Sequence, residues 1–343
     1  MTAVRVICQW CGSEGPLSDF EFDNVHRDGF WCPFCDGHTF FDSEKNKKRR
    51  IILILETGDG EKNVFRKTEL RKQLSPLRYP GGKSKLIDVL DRYFMPDRMQ
   101  TFVEVFAGGA SVGLSLLDAG RTGHLVLNDT DAGVYAFWAT VISHPDDLIE
   151  RIKRQMPTRQ MFFACREMLE TPGFHSETDL AWAQLVCNRC SFSGITKASP
   201  MRDITSRWNP ERLIERIERI HEMRENITVT QIDALELIEQ SAYWDEHSTC
   251  FIDPPYVKAG PRLYRKYYED EDHIQLSWLL QSLYQGMPGA DIVITYDDCE
   301  LIRSLYPYAE IIEVARNYSC NTRRKTNGIK TRDWQGIQPH GEL

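Results

Sequence analysis

The sequence predicts an α/β protein. A mostly parallel sheet carries crossover helices, a mainly helical lobe is inserted between two crossover units, and a small cysteine-rich module precedes the sheet. Three observations carry this. From about residue 74, short apolar strands alternate with helices. Between 146 and 224 the alternation stops, and helical patches with a polar centre replace it. Within the first 35 residues, two Cys-x2-Cys pairs stand twenty residues apart.

Residues 1–44 read as a zinc-ribbon-like module. Cys8, Cys11, Cys32 and Cys35 have the spacing of a four-thiolate site, with Gly12 and Pro33 in the turns. Eight aromatic residues, from Trp10 to Phe41, surround them. A unit this small draws much of its folding energy from the metal, so the zinc is read as structural. Four cysteines leave no open position for catalysis. Two disulfides are the alternative, disfavoured in a reducing compartment. Cys187-x2-Cys190 has knuckle spacing too but no second pair, and reads as packing. Residues 45–73 form a basic linker, with Lys45, Lys47, Lys48, Arg49 and Arg50, and a possible hairpin of a strand over 51–56 and a return over 64–67.

The catalytic-scale domain is expected over 74–145 and 225–335. Strands are predicted at Thr101–Val105, His124–Leu127, Ile227–Ile232, Thr249–Ile252, Ile292–Thr295 and Glu310–Val314. Helices are predicted at Ala110–Ala119, Ala132–Ile142, His273–Tyr284 and Leu301–Tyr306. Such a sheet holds its ligand in a crevice at the carboxyl ends of the strands.

Composition narrows the class. Hydrophobic residues make up 41% and charged residues 27%, enough for a core and too polar for a membrane protein. The longest aliphatic run, Ile51–Leu55, is far short of the ~18 residues a span needs. No signal peptide is read, which implies a cytoplasmic protein. The net charge of -8 does not exclude a nucleic-acid partner, because only the face that meets phosphates must be positive.

The strand ends carry the polar chemistry. Glu104 closes the first strand, with Phe106, Gly108 and Gly109 following. G-x-G-x-x-G is absent, and so is a phosphate loop. The second strand ends in Asp129, placed to accept ribose hydroxyls. Glu104 and Asp129 have caps as their alternative reading. Asp253-Pro254-Pro255-Tyr256 follows the Thr249–Ile252 strand. Prolines remove amide donors, so the Asp253 carboxylate and the Pro254 carbonyl present only acceptors, and Tyr256 offers a ring face. Acceptors beside an aromatic surface suit a planar base carrying an amino group, and they stabilise the charge that grows as that nitrogen attacks. A plain turn is the alternative.

Four segments, in order, resemble the Dam-type (D12 class) DNA adenine-N6 methyltransferases: L-R-Y-P-G-G-K-S-K-L (77–86), F-V-E-V-F-A-G-G-A-S-V-G-L (102–114), L-N-D (127–129) and D-P-P-Y (253–256). N-R-C-S-F-S-G (188–194) and S-R-W-N (206–209) resemble phage-type members. The resemblance covers roughly 74–320. It implies a Rossmann-like S-adenosylmethionine-dependent methyltransferase sheet, with 146–224 as the DNA target-recognition lobe. It implies that Tyr79, Gly81, Gly82 and Lys83 sit near the methionine end of S-adenosyl-L-methionine and the target base. Glu104, Phe106, Gly108 and Gly109 then form the cofactor loop, Asp129 binds the ribose, and Asp233 meets the cofactor adenine. Asp253, Pro254, Pro255 and Tyr256, with Lys83, hold a flipped adenine for direct transfer. Arg189, Lys197, Arg202 and Arg207 become candidate contacts to double-stranded DNA. The lobe lacks the family's F-N-V-P-x-G ending, so the recognition sequence stays open, with GATC as the default. A monomer is expected; a restriction endonuclease partner is left open. Cytosine-N4 or RNA adenine methylation and a silent DNA-binding protein are the competing readings.

Overall fold

The computed structural model describes residues 51–57, 70–71, 73–79, 81–195, 198–239, 247–286 and 290–315, and ahead of them the backbone of five short strands. These are β1 (Arg5–Ile7), β2 (Glu14–Pro16), β3 (Glu21–Phe22), β4 (Gly29–Trp31) and β5 (His38–Phe40). β1 and β2 form one antiparallel pair, and β3, β4 and β5 an antiparallel sheet in that order. Cys8, Cys11, Cys32 and Cys35 lie outside the described residues.

Seven strands make the main sheet: β6 (Ile51–Thr57), β7 (Thr101–Glu104), β8 (His124–Asn128), β9 (Ile227–Thr230), β10 (Ser248–Ile252), β11 (Asp291–Asp297) and β12 (Glu310–Ala315). Their order is β12-β6-β11-β10-β7-β8-β9, and every neighbouring pair is parallel. The six strands expected from residue 101 onward are all present. The linker assignment of 51–56 is corrected: this segment is an interior strand of the main sheet. Its sequence, I-I-L-I-L, is apolar at consecutive positions, as a strand covered on both faces requires, and residues 51–55 are buried. The supposed return strand at 64–67 lies outside the described residues.

The helices are α1 (Ile87–Leu90), α2 (Ser111–Asp118), α3 (Ala132–Ser143), α4 (Pro145–Arg154), α5 (Arg159–Glu170), α6 (Glu177–Cys190), α7 (Pro210–Glu222), α8 (Ala234–Glu239), α9 (Gly260–Leu263), α10 (Asp270–Gly286) and α11 (Glu300–Leu305). Their starts follow ordinary capping chemistry. Asp131 caps α3, Thr158 α5, Ser176 α6 and Asn209 α7, each accepting backbone N–H bonds. The block from α4 to α7 does not stand apart. Ala181, Leu185 and Cys187 of α6 belong to the same core cluster as Val134, Phe137 and Trp138 of α3 and Phe102 of β7. Gly133 allows this approach: a Cβ there would lie 2.6 Å from Leu169 and 2.9 Å from Gln184 Oε1. Among the described residues, no helix is long and apolar enough to cross a membrane.

From β7 the chain steps outward to β8 and β9, then returns to β10 on the other side of β7. The switch point therefore falls between β7 and β10, where a parallel sheet opens its ligand crevice.

Candidate active site

Asp253 follows β10 at this switch point, and Lys83 reaches it from the other side. Lys83 is buried at 3% exposure, in a short turn after Gly81 (φ +80) and Gly82. A buried ammonium is costly unless paired. Lys83 Nζ donates to both carboxylate oxygens of Asp253 at 2.6 Å and to the Gly81 carbonyl at 3.1 Å. Thr295 of β11 donates to Asp253 Oδ1 at 2.7 Å. Burial pushes the Asp253 carboxyl above its usual range, against the pull of Lys83.

Glu56, near the end of β6, completes the cluster. The Tyr256 hydroxyl donates to Glu56 Oε1 at 2.7 Å, and Lys83 Nζ lies 3.4 Å from the same oxygen. Lys83 Nζ also stands 4.9 Å from the Tyr256 ring centroid. Sequence reasoning missed Glu56 as a site residue. The available signal was a carboxylate placed directly after five aliphatic residues.

On the β7 side, Glu104 is buried, and the Gly113 N–H donates to its Oε1 at 2.6 Å. Burial, with the Asp253 charge nearby, pushes its carboxyl up to about 8. At the end of β8, Asp129 accepts from Gly108 N and Asp131 N, both at 2.9 Å. Burial first, then Asp131, raises Asp129 to about 7. Gly108 needs its glycine: its φ is +44, and a Cβ would sit 3.1 Å from the Tyr79 ring. Trp138 of α3 donates to the Gly108 carbonyl at 3.0 Å and fixes the loop from behind. Asp233 is exposed and accepts from Leu235 N at 2.9 Å at the start of α8.

All these elements open on one cavity of about 1110 Å³, more than the roughly 300–1,000 Å³ of an ordinary small-molecule site. Tyr79, Gly81, Gly82, Lys83, Glu104, Phe106, Gly108, Gly109, Asp129, Asp233, Asp253 and Pro255 all line it. Pro254 and Tyr256 are buried behind its wall. Tyr79 and Tyr264 lie nearly parallel in it, their centroids 6.1 Å apart.

The lobe residues divide differently from the expectation. Arg189 is mostly buried, at the edge of the cavity it helps to line. Its guanidinium donates twice to the Arg207 carbonyl, at 3.1 and 2.7 Å, and once to the Pro76 carbonyl at 3.3 Å. Its neighbours in N-R-C-S-F-S-G do similar work. Asn188 accepts from Arg78 N at 2.6 Å and donates to the Arg78 carbonyl at 2.8 Å. Gly194 (φ +77) leaves room for that same carbonyl. The motif thus clamps the segment leading into Tyr79–Lys83. Arg202 is exposed away from the cavity, and Lys197 lies outside the described residues. Arg207 lines the cavity together with Arg78, Arg212 and Arg216, three positions that sequence reasoning passed over. Among the described residues none of these four forms a salt bridge, although the Glu215 charge acts on Arg216. Burial, then the Arg207 and Arg216 charges, lowers Arg78 below its ordinary value. Four like charges on one wall without carboxylate partners suit a polyanion.

Cys187 and Cys190 are buried free thiols, both raised by burial, which agrees with packing. Among the described residues, no group of three or more His, Cys, Asp or Glu side chains is arranged to hold a metal ion.

Comparison with known proteins gives this geometry a family. Residues 79–320 match the D12 class N6 adenine-specific DNA methyltransferase family. The type II methyltransferase M.FokI of Planomicrobium okeanokoites is 24% identical over 221 residues, 59% of this chain. The matched region is 31% of that relative's length, so the chain spans about a third of it.

Proposed function

The chain belongs to the D12 class N6 adenine-specific DNA methyltransferase family; from that membership we propose a site-specific enzyme that transfers the methyl group of S-adenosyl-L-methionine directly to N6 of an adenine flipped out of double-stranded DNA. One observation carries the reading: Tyr79, Gly81, Lys83, Glu104, Gly108, Asp129, Asp253 and Pro255, far apart in sequence, line a single cavity at the topological switch point.

The donor set suits that cofactor. Glu104, Asp129 and Asp253 line the cavity, with Lys83 as the buried ammonium beside Asp253. An excess of carboxylates in a dry site favours a cationic ligand. When bound, S-adenosylmethionine supplies a methyl group already activated by its sulfonium. The chain's residues then have to align and to accept charge. Asp129, oriented by the Gly108 and Asp131 amides, keeps lone pairs for ribose hydroxyls. Asp253 and the Pro254 carbonyl accept the hydrogens of the base amino group. Asp253 would take the surplus proton of the methylated nitrogen, while the methyl carbon would leave its sulfur, which keeps the electron pair of the broken bond. Flipping costs a few kcal/mol, offset by stacking and phosphate contacts. Arg78, Arg207, Arg212 and Arg216 are the candidate phosphate contacts, and Arg189 a brace behind them. In this reading α4–α7 serve as the recognition lobe, and Cys8, Cys11, Cys32 and Cys35 hold a structural zinc.

The test is incubation of the protein with unmethylated mixed-sequence DNA and S-adenosylmethionine, followed by digestion to nucleosides and mass spectrometry. N6-methyladenine is the expected product. N4-methylcytosine, or no methylated nucleoside, refutes the reading.

A further inference from the structure

We infer that Glu56 is a positioning residue for the transfer, receiving the Lys83 ammonium from Asp253 as the substrate amino group arrives. The inference rests on the reading above and goes beyond it, because residue 56 lies outside the 79–320 match.

Asp253 is already occupied. Both of its oxygens are engaged by Lys83 at 2.6 Å, so the carboxylate cannot also accept a base amino group in full. Lys83 therefore has to move when substrate enters. Its side chain is 3% exposed, so leaving Asp253 without another partner would strand a buried charge. Among the described residues, the other carboxylate within 4 Å of it is Glu56, at 3.4 Å, with a side chain of 0% exposure. Glu56 is held in place by the Tyr256 hydroxyl, so the oxygen that receives the ammonium also fixes the ring beneath the base. Moving the Lys83 ammonium toward Glu56 loosens its hold on Asp253 without unpairing a buried charge.

Wild type, Glu56→Gln, Lys83→Met and the double variant test this in two assays: single-turnover methylation of mixed-sequence DNA and urea unfolding. Gln keeps an acceptor for Tyr256 and loses the charge. Glu56→Gln is expected to slow transfer about 10- to 100-fold with cofactor affinity unchanged, and to change nothing further in the Lys83→Met background. A wild-type rate in Glu56→Gln, or equal slowing with and without Lys83, overturns the inference. If wild type makes no N6-methyladenine, the functional reading fails and the unfolding cycle decides alone. Coupling between positions 56 and 83 of tenfold or more in the unfolding constant supports the shared ammonium; additive effects reject it.

Discussion

Asn188→Ala tests the joint between the helical block and the segment that carries Lys83. Asn188 is 1% exposed and spans the Arg78 peptide from both sides, accepting at 2.6 Å and donating at 2.8 Å. Two such bonds contribute about 1 kcal/mol each, and the partners left unsatisfied add roughly 1–2 kcal/mol more. The expected loss is about 2–4 kcal/mol, or a melting temperature lower by roughly 3–6 °C for a chain of this size. Asn188→Asp is expected to be at least as harmful, since a carboxylate accepts from Arg78 N and repels the Arg78 carbonyl. The assay is thermal and urea unfolding, with cofactor binding by calorimetry on the same samples. Binding should weaken, because Tyr79–Lys83 follow the Arg78 peptide directly. If Asn188→Ala melts within about 2 °C of wild type, the clamp contributes nothing and this reading of N-R-C-S-F-S-G is wrong.

Four further outcomes are expected from the same geometry. Gly194→Ala should prevent that clamp from closing and lower stability by more than the ~1 kcal/mol of its positive φ alone, because the new Cβ meets a backbone oxygen; equilibrium unfolding reads this. Glu104 holds its proton up to about pH 8 when folded against an ordinary value of 4.5, so its stabilising contribution is full below about pH 4.5 and lost as pH rises through 8; Glu104→Gln should therefore raise the melting temperature at pH 8–9 while weakening cofactor binding. Arg212→Ala with Arg216→Ala should weaken DNA binding evenly across sequences and shallow the salt dependence by roughly 0.9 for each phosphate that is no longer neutralised, whereas Arg189→Met should mainly lower stability. Elemental analysis should find one zinc per chain, absent from Cys8→Ser with Cys11→Ser.

Much of the sheet was legible because its strands are covered on both faces and read as short unbroken apolar runs. Carboxylates at or just after the ends of β7, β8 and β10, namely Glu104, Asp129 and Asp253, made the crevice readable as well. β6 shows what patterning cannot supply. I-I-L-I-L declares a buried strand, but nothing local says that it pairs with residues some 240 and 260 positions away, so it read as a linker hairpin. Arg189 shows a second role that patterning hides. An arginine beside Asn188 in a polar lobe looks like a contact to DNA; the folded chain adds the Arg207 and Pro76 carbonyls that its guanidinium also braces. Glu56 became visible as a site residue only once Tyr256 and Lys83 had been brought to it.

The interior position of β6 also governs how the chain can be made and cut. β11 and β12 leave the ribosome last among the sheet strands, and both take their backbone partners from residues 51–57. That strand must therefore wait, unpaired and strongly apolar, while more than two hundred residues are synthesised. It is a segment for a chaperone to shield and the place where a stalled chain would aggregate. A fragment trimmed to the matched region, 79–320, would lack the strand that joins β11 to β12. It would leave β12 without a neighbour and Lys83 with one carboxylate instead of two. Preparations intended for binding or kinetic work should begin upstream of Ile51.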